Sequence, residues 1–113
     1  MTSQPAHQNL AAGRWQTLSI AEQLGNIGSE VSRATRAKAQ GNSERLQSAL
    51  SRALELFELT LADLRMTPAR TDEISKARDV VADYLVGENA YQSTATSLER
   101  YFTPFALLAR RDT

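Results

Sequence analysis

Arg33, Arg36 and Lys38 stand within six residues of one another, and Arg45 and Arg52 follow shortly after. Guanidinium and ammonium groups gathered in this way suit phosphate oxygens, so these five are the candidate nucleic-acid-binding residues. Arg110 and Arg111 form the other concentration of positive charge. The competing reading of both groups is solvated charge at helix ends.

Residues for catalysis are scarce. A hydrolytic triad needs a nucleophile, a base and an orienting acid, yet the single histidine is His7, near the start of the chain. Glu30, Glu55, Glu58 and Asp63 have no histidine near them with which to build a bundle metal centre, and they read as solvated faces. Asp79 and Asp83 lie one helical turn apart and, with Glu73 or Asp72, have the spacing for a hard cation. The interspersed Lys76 and Arg78 instead make that stretch an ordinary mixed-charge surface. Gly25 and Gly28 fall inside a helical pattern and lack the lysine of a phosphate-binding loop. The sequence therefore predicts no catalytic, cofactor-binding or metal-binding residue, and a protein that is not an enzyme.

The elements that must position the basic cluster are helices. Ile20, Leu24, Ile27, Val31 and Ala34 recur at the spacing of one helical face, which predicts a first helix from Ser19 to Gln40. Ser19 and Glu22 have the capping-box pattern, and Gly41-Asn42 marks the end. Ser43 is the expected cap of a second helix running to about Arg65, with Leu46, Leu50, Ala53, Phe57, Leu61 and Leu64 on one face. Pro68 reads as a break, after which Thr71 caps a third helix carrying Ile74, Ala77, Val81 and Tyr84 up to Gly87. A fourth presents Leu98, Phe102, Phe105 and Leu108, with a kink near Tyr101 or a restart at Thr103-Pro104.

No stretch alternates with period two, so no strand is predicted. The expected fold is all-α, an antiparallel up-and-down four-helix bundle over residues 18–111 behind a flexible tail of residues 1–17. Its predicted core includes Leu24, Ile27, Val31, Leu50, Phe57, Val81, Phe102 and Phe105. Two glycines within a helix cost on the order of 1 kcal/mol each relative to alanine, and close packing is the expected reason. Helical spacing leaves open whether that packing is internal or between subunits. Gly25, Gly28 and Ser32, with Leu56 and Leu59 lying off the main apolar stripe, are the candidate oligomer interface.

Composition limits what a partner sees. The 13 Lys plus Arg balance the 13 Asp plus Glu, so attraction to nucleic acid or anionic lipid must come from a local patch. With no cysteine there is no disulfide or thiolate chemistry, and a cytoplasmic location is the expectation. Residues 1–9 lack the charge and apolar run of a leader, and no segment has the roughly 20 apolar residues needed to cross a bilayer.

The stretch Glu22-Gln23-Leu24-Gly25-Asn26-Ile27-Gly28-Ser29-Glu30-Val31-Ser32-Arg33, followed by Ala49-Leu50-Ser51-Arg52-Ala53-Leu54-Glu55-Leu56, resembles the four-helix-bundle proteins encoded in rRNA intervening sequences. The accessory variability determinants of diversity-generating retroelements are related to that group. The resemblance covers roughly residues 18–60. Those determinants form a ring of five subunits and bind nucleic acid and a reverse transcriptase, so the resemblance implies a bundle that forms an oligomer, more than it implies nucleic-acid binding. Joined to the neutral charge, it leads to the expectation of a self-associating, non-enzymatic helical interaction module with a macromolecular partner. The alternative is an accessory protein that binds nucleic acid through the basic patch.

Overall fold

The capping box at Ser19 forms as its residues predict: the Ser19 hydroxyl accepts from the Glu22 N–H at 3.0 Å, and the Glu22 carboxylate accepts from the Ser19 N–H at 2.9 Å. This opens α1 (Ile20–Ala39) in a computed structural model that describes residues 13–111. Three more long helices follow, α2 (Ser43–Leu61), α3 (Pro68–Val86) and α4 (Ala95–Arg111). A helical turn at residues 13–15 precedes them, and no strand occurs among the described residues. The all-α expectation holds. No described helix is long and apolar enough to cross a membrane.

Helix ends depart from expectation where two capping residues compete. Gly41 takes a φ of 69°, reversing the chain after α1 so that Asn42 becomes extended, and the Asn42 side chain, not Ser43, caps α2 through the Arg45 N–H at 3.1 Å. Thr67, not Thr71, caps α3, because Pro68 is tolerated at a first helical position where its missing N–H costs nothing. α2 ends at Leu61, short of Arg65. α4 neither stops nor restarts at Pro104; the Thr103 hydroxyl donates to the Glu99 carbonyl at 2.8 Å rather than capping a new helix.

α1 is the central element, packed along α2 and α4, while α3 reaches the core chiefly through α2. Leu24, Ile27, Val31, Leu50, Phe57, Val81 and Phe102 are buried as predicted, but Phe105 is only partly so. The close approach that the glycines serve lies inside the chain. A Cβ on Gly28 would sit 2.6 Å from the Phe102 Cβ, and one on Gly25 would sit 3.2 Å from the Ala106 Cα. Leu56 and Leu59 likewise pack, half-buried, against the same core, and of the five candidate interface residues only Ser32 is exposed.

Trp15 corrects the proposed tail boundary, since it belongs to the core and donates from Nε1 to the Thr60 hydroxyl at 2.8 Å. His7 and the rest of residues 1–12 lie outside the described residues. A buried polar clasp fixes this end. The Gln23 amide donates to the Trp15 carbonyl at 3.1 Å and to Asp63 at 3.0 Å, and Arg65 donates to Asp63 at 2.7 Å and to the Leu18 carbonyl at 2.6 Å. Asp63, read from sequence as solvated, is thus buried and fully engaged.

The bonded Arg65 guanidinium holds the Asp63 carboxyl well below the usual carboxylate range, against the opposing pull of burial, with the Arg65 N–H and Gln23 adding to the effect. A depressed folded pKa stabilises the protein above the unfolded value of about 3.9, and that contribution is lost as pH falls from there toward the folded value. We expect Asp63→Asn to cost about 1.5–3 kcal/mol at neutral pH and much less in acid. Urea titrations at pH 7 and pH 2.5 check this; an equal loss at both would deny the clasp its charge.

Candidate functional site

The three-residue turn at residues 40–42 places the end of α1 beside the start of α2, so basic residues close to that junction share one end of the helix pair. Arg33 and Arg36 are separated by three residues on α1; Arg45, Ser48, Ala49 and Arg52 follow the spacing of one face on α2. Between them lies a groove of about 510 Å³, lined by Arg33, Arg36, Arg45 and Arg52 over the small side chains of Ala37 and Ala49, with Gln40 at the junction. Four of the five predicted residues therefore converge.

Lys38 does not join them. Two residues beyond Arg36 is a rotation of about 200° around the helix, which turns Lys38 to the opposite side. There its Nζ sits 5.1 Å from the centroid of the Tyr84 ring on α3, a cation–π contact. Arg110 is also remote, lining a shallow surface with Glu22, Gly25 and Asn26 near the start of α1.

The floor of the groove holds a carboxylate that composition disguised as surface. Glu30 has 7% side-chain exposure and binds two guanidiniums at once, Arg33 Nη1 at 2.8 Å on its own helix and Arg52 Nε at 3.0 Å across on α2. Its position three residues after Ile27 and four before Ala34 puts it at the edge of the apolar stripe, a signal present in the spacing. Arg33 and Arg52 remain 63% and 71% exposed, so each is held at one nitrogen while the rest of its fork faces solvent. Arg36 and Arg45 are exposed and have no ion pair among the described residues.

Four guanidiniums against one carboxylate give the groove a net positive charge within a chain that is neutral as a whole. Planar forks of N–H donors match phosphate and carboxylate oxygens in pairs, and the groove can therefore bind and orient an anion. Two acidic residues elsewhere have structural tasks. Asp83 accepts from the Ala90 and Tyr91 N–H groups at 2.9 and 3.1 Å and shapes the turn before α4, while Glu58 pairs with Arg78 at 2.7 Å, joining α2 to α3. Among the described residues, no group of three or more histidine, aspartate or glutamate side chains is placed to hold a metal ion. No protein-family model, no curated protein and no solved structure matches the chain.

Proposed function

We propose that the chain is a non-enzymatic interaction module that holds a phosphate-bearing polymer, a nucleic-acid backbone, in the groove between α1 and α2. The observation that carries this reading is the convergence of Arg33, Arg36, Arg45 and Arg52 on one groove, with Arg36 and Arg45 in no ion pair among the described residues. Arg45 and Arg52 are separated by about 10 Å along the helix axis at 1.5 Å per residue. That is about the axial rise of three nucleotides in one strand of a duplex, at 3.4 Å each. Contacts of this number, on a neutral chain that also carries Glu44 and Glu55 on α2, make binding weak, salt-sensitive and independent of base sequence. Titration of single-stranded RNA and DNA at two salt concentrations tests the reading, and absence of binding at low salt defeats it.

Self-association belongs to the same proposal, because repeating a weak groove raises avidity. Its support comes from a different surface than the sequence pointed to: Leu107 and Leu108 on α4 are 51% and 45% exposed, and an apolar groove of about 260 Å³ runs between α3 and α4. The scaffold we propose for it is an antiparallel up-and-down bundle, in keeping with the short connections at residues 40–42, 62–67 and 87–94. Sedimentation at micromolar concentration is expected to give a species larger than the monomer that dissociates when Leu107 and Leu108 are both replaced by Ser. A monomer at every concentration removes the oligomeric part of the proposal.

A further inference from the structure

We infer that Glu30 is a positioning residue for the anion bound in the arginine groove, so that removing its negative charge weakens anion binding instead of strengthening it. The inference rests on the proposed polyanion reading and adds to it the device that sets the site's geometry.

Simple electrostatics gives the opposite sign. Among the described residues Glu30 is the only acidic one lining the groove of four arginines, and a carboxylate there repels a phosphate. Neutralising it adds one net positive charge to the groove. Against this stands its placement: at 7% side-chain exposure it lies beneath the anion-accessible surface, and each of its oxygens is taken by a different guanidinium, Oε1 by Arg33 and Oε2 by Arg52. A free arginine side chain surrenders much rotamer freedom when it binds an anion. Glu30 has already restricted two of them and spaced them across the α1–α2 junction. Arg33 donates to Glu30 from one Nη and Arg52 meets it at Nε as an ion pair, so further N–H groups of each fork are left for a ligand. Arg36 on α1 and Arg45 on α2, in no ion pair among the described residues, complete the site from its two sides.

Glu30→Gln tests this in the full chain, using a fluorescent single-stranded oligonucleotide of mixed sequence as the probe. The isosteric amide keeps the size of the side chain but removes the charge that holds Arg33 by a hydrogen bond and Arg52 by an ion pair. We expect affinity at low salt to fall about five- to twentyfold, the ordering of two released side chains now being charged to binding. The dependence of log K on log salt is expected to lose up to about 0.7 units of slope, as for one lost phosphate contact on a single strand. Arg52→Ala and the double variant complete a cycle, in which Glu30→Gln has a smaller effect once Arg52 is gone.

Unchanged helical circular dichroism in each variant ensures that affinity, not folding, is being read. Should Glu30→Gln lose helix, Glu30→Asp serves instead: it keeps the charge but shortens the reach, and it must weaken binding for positioning to hold. Wild-type binding with equal or tighter binding by Glu30→Gln overturns this inference and leaves the polyanion reading intact. Failure of the wild type to bind overturns both.

Discussion

Replacing Phe57 with alanine is expected to cost about 3–5 kcal/mol of unfolding free energy, the range for emptying a fully buried aromatic site. Phe57 is completely inaccessible to solvent and stands on α2, with its ring centroid 6.3 Å from that of Phe102 on α4 and the planes tilted by 58°. Truncation would therefore leave a void between α2 and α4 beside the close α1–α4 contact, where Gly28 already lies against the Phe102 Cβ and little room remains for inward collapse. Domains of this size have a total stability of about 5–15 kcal/mol, so the variant would approach its unfolding midpoint at modest denaturant. Urea unfolding followed by helical circular dichroism measures the loss. Phe105, partly exposed at the edge of the same cluster, provides the comparison: its alanine variant should lose clearly less, and a Phe57 loss below about 1 kcal/mol would take that residue out of the core.

Much of this core was legible because its residues repeat. Leu24, Ile27 and Val31 follow the helical period, and burial follows from the period alone. Capping was legible at Ser19, where one candidate stood alone, but not at Asn42 or Thr67, where a neighbouring Ser43 or Thr71 offered the same chemistry. The deciding factors there were the left-handed Gly41 and the preference of Pro68 for a first helical position. Trp15 was missed because nothing periodic surrounds it; its burial depends on Thr60 and Gln23, distant partners that only the fold brings together.

The candidate site divides in the same way. Sequence proximity collected the basic residues, and the helical wheel would have separated Lys38 from the other four, since two residues carry it around to the face of Tyr84. Glu30 and Asp63 read as solvated because acidic residues usually are, yet both are buried: Glu30 pairs across to Arg52 on α2 and Asp63 accepts from Gln23 on α1, partners that only the fold brings near, while the Arg65 beside Asp63 is local. The glycine band correctly implied a close approach. Whether that approach was internal depended on Phe102 and Ala106 of α4, and the wheel of α1 by itself contains no information about them.

The largest functional effect is expected from removing Arg36 and Arg45 together. Arg36→Ala/Arg45→Ala leaves the Glu30 pairs with Arg33 and Arg52 in place and touches only exposed side chains, so stability should change by no more than about 0.5 kcal/mol. If these residues account for two of roughly three phosphate contacts, the salt slope for a single strand falls by about 1.4, at 0.7 per contact, and affinity at low salt falls at least about tenfold. Lys38→Ala is the matched control, removing one positive charge from the same helix at a position facing Tyr84. The decisive measurement is thus the affinity of a single-stranded oligonucleotide for wild type, Arg36→Ala/Arg45→Ala and Lys38→Ala, each at 20 and 150 mM salt. The account predicts weak wild-type binding that is lost in the double variant and retained with Lys38→Ala. Wild-type binding that survives removal of Arg36 and Arg45, or that depends equally on Lys38, would contradict it.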